Sequence, residues 1–295
     1  MPRQCLSDEE AATFVADGYV ILRQVLHPDE LQHFRAAMDR LTTEGCREVK
    51  TDPDFMYGIG HRTGQKVLRR IEYVVDKALE ARVLLGHPFI LRSVEKLQGP
   101  DLVPTWDTMV LKLPGEGIIV PWHRDASSAL VGDHPPVNVD FYLDPADHGN
   151  CVWLFPGSHR WAPAQADAII HRPGFSTDGA TPALMQPGDV IIHHILTVHG
   201  SPANESQRMR RVVYYEFRPA HTELALGPHT PAYIPLKQKV LLKCLALRAA
   251  CAYVPPDEVP YVYHPPPPFD DVRLHRGEEL ATYRYPHPLY WRHRF

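Results

Sequence analysis

In the stretch PWHRDA, residues 121–126, an imidazole and a carboxylate stand two positions apart, at His123 and Asp125. On an extended strand, side chains two apart share a face, so the pair can aim two ligand atoms at one point. A second imidazole is offered by LTVHGS, where His199 follows the strand-like run DVIIHH. An antiparallel neighbour would carry it beside His123. Two imidazoles and one carboxylate make the facial triad of non-haem Fe(II), which leaves positions open for a cosubstrate and dioxygen. A cupin-type metalloenzyme, such as an isomerase or hydrolase, could use the same three ligands, as could a non-catalytic protein that binds metal or a metabolite.

Arg210 follows His199 by 11 residues, across SPANES and at the start of RRVVYYEF. A strand, a turn and a returning strand would bring its guanidinium back near the metal. A permanently charged group inside a barrel is costly unless a carboxylate meets it. The distal carboxylate of 2-oxoglutarate would do so through two parallel hydrogen bonds. Ser201, two residues after His199, could donate a hydroxyl to the same group. Arg208 and Arg211 compete for the role, the first expected in the turn and the second on the opposite face of the strand.

The elements that must position these residues change in texture along the chain. Ser7 followed by Glu10 is a capping-box pattern opening a helix that ends before Gly18. Tyr19 to Leu22 suits a strand. His27-Pro28-Asp29 opens a second helix, with Leu31, Phe34, Met38 and Leu41 as its core stripe. Thr51 to Gly64 reads as an irregular loop able to cover a pocket, and Val67 to Leu97 as mostly helical. Arg69, Arg70 and Tyr73 then read as a solvated helix face, with contact to an anionic substrate as the alternative.

From Thr105 onward, short β-branched and aromatic runs (TMVLK, VNVDFYL, CVWLF, DVIIHH, RRVVYYEF) alternate with PGEG, DPADHGN, PGSH and QPGD, as in a double-sheet jelly roll. His193 and His194 are expected in structural roles, one facing the core or cosubstrate and the other solvent. His159 is expected in a turn, Trp153 in the core and Trp122 beneath the site. Leu236 to Cys251 is a further helix, and the last forty or so residues show no clear element. HPPPPF reads as a stiff surface connection.

The expected fold is therefore an all-β core with flanking helices, a cupin-like double-stranded β-helix. One domain spans 1–295: a helical part at about 6–100, the jelly roll at about 105–220 and an extension at about 221–295.

Composition narrows the partners. With 31 Lys+Arg against 35 Asp+Glu among 295 residues, no basic surface for nucleic acid or membrane is indicated, and a small molecule is expected. Five scattered cysteines form no CxxC pair, which argues against a disulfide framework or zinc ribbon. No leader is read in MPRQCLSDEE, no peroxisomal address in WRHRF and no membrane span anywhere, so a cytoplasmic location is expected. Oligomeric state is not readable.

Five segments in order carry a resemblance: LSDEEAATFVADGYVILRQVLHPDEL, KLPGEGIIVPWHRDA, HGNCVWLFPGSHRW, QPGDVIIHH and VHGSPANESQRMRR. From about Leu6 to Phe217 the chain resembles the phytanoyl-CoA dioxygenase family of Fe(II)/2-oxoglutarate oxygenases. The resemblance implies His123, Asp125 and His199 as iron ligands and Arg210 as the 2-oxoglutarate arginine, with Lys112 and Trp106 lining the cosubstrate pocket. Two departures are visible: Arg124 replaces the usual Gln between the ligands, and Gly149-Asn150 replaces Asn-Gly. The implied reaction consumes O2 and releases succinate and CO2. Asp125 favours hydroxylation over halogenation, because halogenase relatives lack this carboxylate. A small, partly apolar metabolite, modified in a biosynthetic tailoring step, is the expected substrate.

Overall fold

The structure is a computed structural model that describes residues 3–275 and 277–280; WRHRF lies outside these. Helix α1 (Asp8–Asp17) has the expected capping box, Ser7 and Glu10 each satisfying the other's backbone. It stops at Gly18, whose φ of 81° is left-handed. A Cβ at Gly18 would lie 2.3 Å from Nδ1 of His159 and 2.6 Å from Oγ1 of Thr197, so only glycine fits this crossing point. Strand β1 (Tyr19–Leu22) and helix α2 (Pro28–Arg47) follow as expected.

The next elements depart from expectation. Residues 51–64 contain strand β2 (Phe55–Ile59), and the run expected to be helical begins with strand β3 (Lys66–Glu72). The two strands pair with a bulge: Met56 lies opposite Arg70 and Tyr57 opposite Leu68, which leaves Arg69 as the extra residue. The bulge lets Leu68 and Ile71, three apart, both face the helix-side core. That spacing imitates a helix in the sequence, whereas an unbroken strand would have shown a period of two.

Short helices α3 (Val74–Lys77), α4 (Leu79–Leu85) and α5 (Pro88–Gln98) lead into the β core. Its strands are β4 (Leu102–Lys112), β5 (Val120–His123), β6 (Val137–Tyr142), β7 (Val152–Leu154), β8 (Thr181–Ala183), β9 (Val190–His194), β10 (His199–Ser201) and β11 (Arg210–Pro219). Helix α6 (Pro163–Ile170) lies between β7 and β8, and α7 (Ala220–Leu226) and α8 (Tyr233–Ala249) follow the core. A seven-stranded antiparallel sheet runs β1-β9-β6-β11-β4-β3-β2, and a four-stranded one runs β5-β10-β7-β8. Together they form a jelly roll.

The large sheet wears its alternation inside out. Val137, Val139 and Phe141 of β6, with Val213, Tyr215 and Phe217 of β11, join Phe34 and Met38 of α2 and Val240 and Leu241 of α8 in the main apolar core. The alternate residues, Asn138, Asp140 and Tyr142 with Arg210, Val212, Tyr214 and Glu216, turn toward the small sheet. The helices thus seal the apolar face, and the polar face becomes the wall of the interior.

Beyond α8, Tyr261 and Tyr263 are buried, and the Tyr263 hydroxyl accepts from Gln238 Nε2 at 3.0 Å. Phe269, after the proline run, packs on Val103, Ala220 and Ile234. This part of the extension therefore clasps the core without forming a helix or strand.

The two faces of β6 make separable predictions. Phe141→Ala is expected to cost about 3–5 kcal/mol of stability, as for a truncated core aromatic. Urea unfolding should show a lower midpoint at unchanged slope, and a midpoint within error of the parent would disprove this assignment of the core.

Candidate metal centre

The pairing of β5 with β10 sets His123 directly opposite His199. Their rings lie 4.2 Å apart between centroids. Asp125 leaves the end of β5 and is anchored by its N–H to the carbonyl of Ile195 at 2.9 Å. Its Oδ1 lies 3.5 Å from Nε2 of His123 and 3.9 Å from Nε2 of His199. One ligand atom from each of His123, Asp125 and His199 falls within 4.8 Å of the others, so one ion could meet all three.

The surrounding hydrogen bonds orient these atoms. Nδ1 of His123 lies 2.8 Å from the carbonyl of Pro121, and Nδ1 of His199 lies 2.9 Å from that of Thr197. A carbonyl can only accept, so each Nδ1 carries the proton and each Nε2 presents its lone pair to the common point. Asn138 Nδ2 donates to Oδ2 of Asp125 at 2.9 Å, leaving Oδ1 toward the imidazoles. Burial, reinforced by His123, pushes His199 down to about 3, so it is a neutral ligand at physiological pH. Asp125 is held well below the usual carboxylate range, because the three neighbouring imidazoles outweigh the burial that would raise it.

His193 is the third of these imidazoles. It lines the same cavity, with Nε2 3.5 Å from Asp140 and Nδ1 3.9 Å from Asp125. Although burial works against its charge, these carboxylates raise it to about 9. Neither His193 nor His194 faces solvent, where strand alternation predicts that one of them should. His194 is buried where the α1–β1 junction and His159 cover it, with Nδ1 accepting from the N–H of Leu196 at 3.0 Å.

A cavity of about 490 Å3 opens from the triad and is also lined by Trp106, Ser201 and Arg210. Arg210 is buried, and its Nε and Nη1 meet no acceptor among the described residues. The hydroxyls of Tyr142 and Ser201 are buried without a partner as well. Lys112, expected in the cosubstrate pocket, is the cross-strand partner of Arg210 but is not part of the cavity wall. Its ammonium donates to the carbonyls of Ile118 at 2.8 Å and Ser201 at 3.3 Å, and to that of Pro202. It thereby ties β4 to the β5 and β10 edge. Burial and the Arg210 charge push Lys112 down to about 6. A buried guanidinium with no carboxylate within ion-pair distance among the described residues makes a place that favours an anion.

The rival arginines are otherwise engaged. Arg211 points to the far side of β11, against Asp144 at 2.8 Å and Asp39, and Arg208 is exposed in the turn. Arg124, in place of the usual Gln, donates to the carbonyls of Ser158 at 2.7 Å and Trp161 at 3.1 Å. It holds the turn that contains His159. Trp122 is buried beside the site and stacks on Phe175 at 4.7 Å. Arg69 and Arg70 belong to a strand, not a helix, and both line the cavity. Tyr73 follows that strand at a left-handed φ of 52° and lies against Trp106. Asn138, Asp140 and Tyr142 were not singled out from sequence, although the alternation in VNVDFY already placed them together on one face.

The sequence profile of the phytanoyl-CoA dioxygenase family matches residues 14–212, most of the chain. The chain belongs to the phytanoyl-CoA dioxygenase family. Among curated relatives, the dioxygenase trt7 of Aspergillus terreus is 26% identical over 257 residues, covering 80% of this chain and 84% of its own. Among solved structures, AviO1 from Streptomyces viridochromogenes Tue57 is 30% identical with a TM-score of 0.61, over 71% of this chain and 93% of AviO1. EctD from S. alaskensis, crystallised with 2-oxoglutarate and 5-hydroxyectoine, is 20% identical with a TM-score of 0.60, over 74% of this chain and 77% of its own. This phytanoyl-CoA dioxygenase family member is thus a dioxygenase by family, on the jelly roll that its neighbours share.

The hydrogen bond from Asn138 to Asp125 should be felt in metal affinity. Asn138→Ala is expected to weaken Fe(II) binding by about 10–100-fold, the range for loss of a group that orients a ligand. Anaerobic titration monitored by calorimetry reads this directly, and unchanged affinity would remove Asn138 from the site.

Proposed function

We propose that this chain is an Fe(II)- and 2-oxoglutarate-dependent dioxygenase that hydroxylates an unactivated C–H bond of a small metabolite. The observation that carries this reading is one cavity with the His123, Asp125 and His199 ligand set at one place and a buried guanidinium without an acceptor at another. The first fits Fe(II) and the second fits a dicarboxylate cosubstrate. EctD, of the same fold, carries 2-oxoglutarate in its crystal.

In this reading His123 and His199 give Nε2 and Asp125 gives a carboxylate oxygen to the iron. Arg210 holds the distal carboxylate of 2-oxoglutarate, helped by the hydroxyls of Ser201 and Tyr142. Trp106, expected in the cosubstrate pocket, lies opposite Glu216 and not Arg210 on β11 and donates to Glu72 at 2.8 Å, so it is read as lining the substrate end, while Lys112 supports the cosubstrate end from behind. Bound iron with 2-oxoglutarate and dioxygen supplies the oxidising chemistry, decarboxylation to succinate and CO2 with one oxygen atom passing to the substrate. The chain contributes the ligand geometry, the anion site and a walled cavity that shields the reacting centre from water. A carboxylate at position 125 fills the place that a halide would take, which supports hydroxylation.

The whole of residues 1–295 is read as one such domain. A biosynthetic tailoring role belongs to the same proposal. Among the described residues no helix is long and apolar enough to cross a membrane, and all five cysteines are free. The free cysteines fit the reducing compartment that this reading assigns to the chain, the cytoplasm.

Asp125→Ala and His199→Ala are expected to abolish succinate formation in an iron-loaded assay that screens candidate metabolites, with the product mass read in parallel. Normal turnover by either variant would overturn the ligand assignment. Arg210→Gln is expected to raise the apparent KM for 2-oxoglutarate at least about tenfold, the consequence of losing a charge-assisted hydrogen bond. Tyr142→Phe should raise it by a smaller factor, and a change confined to kcat would place both residues elsewhere.

A further inference from the structure

We infer that the substrate of this cavity carries an anionic group, a carboxylate, sulfate or phosphate, and that Arg69 is the residue that receives it. The inference rests on the proposed function for the identity of the reaction, but its observations lie on a different wall. Apart from Arg210, four guanidiniums line the cavity: Arg69, Arg70, Arg124 and Arg218. Three are engaged. Arg70 meets Glu72 at 2.5 Å and the hydroxyl of Tyr214. Arg124 is held by the two carbonyls already described, and Arg218 lies 2.7 Å from Glu216 and 3.6 Å from Glu223. Glu216 in turn accepts from the hydroxyl of Thr105 at 2.7 Å.

Arg69 alone meets no carboxylate, carbonyl or aromatic ring among the described residues. Its orientation is built rather than incidental. As the extra residue of the β2–β3 bulge it escapes the alternation that would send it to the opposite side from Arg70, and bulges are a common means of re-aiming a side chain beside a site. Its stem crosses Gly58: a Cβ there would lie 3.3 Å from Cδ of Arg69 and 2.7 Å from Cδ1 of Ile118, another cavity residue. A glycine in β2 therefore keeps open the slot in which Arg69 lies. Arg69 is solvent-exposed where it lines the cavity, and an accessible guanidinium with no carboxylate beside it attracts anions and pairs with them bidentately. Exposed Ile119, on the same cavity, offers apolar contact to the body of such a substrate.

The test uses the full chain loaded with Fe(II) and 2-oxoglutarate in the absence of dioxygen. Two fluorescent probes of similar shape are titrated, 8-anilinonaphthalene-1-sulfonate and the neutral N-phenyl-1-naphthylamine. The parent should bind the sulfonate at least about tenfold tighter than the neutral probe, the size of one charge-assisted hydrogen-bonded contact. Arg69→Gln should reduce that ratio to about twofold or less, and Arg69→Lys should retain part of it. Arg47→Gln, which removes an exposed charge at the end of α2, should leave the ratio intact. No preference in the parent, an unchanged ratio in Arg69→Gln, or an equal loss in Arg47→Gln would each overturn the inference. Calorimetric titration of 2-oxoglutarate into the iron-loaded parent separates the two readings. Absence of cosubstrate binding with an Arg69-dependent sulfonate preference would sink the proposed function and leave the anion site standing.

Discussion

The register between β5 and β10 is the constraint on which the site depends. It sets His199 opposite His123, and a slip of one residue would turn an imidazole to the other face of the sheet. The strands are short, so the register is held from outside them. Asp125 is tied to Ile195, Val198 N–H donates to the hydroxyl of Ser158, and Lys112 grips the carbonyls on both flanks of the cavity edge. The ligand rings are then fixed by carbonyls two residues away in their own strands or turns. Backbone pairing thus does the work of aligning ligand atoms before any metal is bound.

The large sheet solves a second problem, that of lining an interior with polar groups inside a folded core. Helices α2, α4, α5 and α8 cover its apolar face, so hydrophobic burial holds the domain together from the outside of the roll. The inner face is released from that duty and can carry Asn138, Asp140, Tyr142, Tyr214 and Arg210. Asn138 and Asp140 are engaged through Asp125 and His193, and Tyr214 meets Arg70. Nε and Nη1 of Arg210 and the hydroxyls of Tyr142 and Ser201 are buried donors left without an acceptor, and an anion would complete them. The cost of an unsatisfied buried cation is large, and its concentration in one part of the cavity is what distinguishes a binding place from a packing defect.

A cavity's charge is not the charge of the chain. The charge balance, a formal net charge of -4, indicates no basic surface, yet the cavity gathers five guanidiniums on its wall. Net charge averages over a surface that a ligand never touches, whereas a cavity exposes only what the fold directs inward. Arg69 and Arg70 illustrate the difference. They stand in a segment read as helical, where Leu68 and Ile71 keep a helix-like spacing of three, and the bulge that allows this spacing is a feature of strand pairing, invisible without the partner β2.

What the sequence determined by itself was the chemistry close to its own strands. The spacing of His123 and Asp125, the position of His199 after a β-branched run, Arg210 on a returning strand and the jelly-roll texture after Thr105 all follow from periodicities of one or two residues, which local sterics impose. Capping of α1 by Ser7 and Glu10 was legible for the same reason. What only the tertiary structure decided was which side chains from distant segments share a space: Asn138 on Asp125, Tyr142 beside Arg210, Lys112 turned away onto carbonyls, both His193 and His194 buried, and Arg69 laid over Gly58. These depend on strand register and on bulges, and a register is a relation between two segments that neither carries alone.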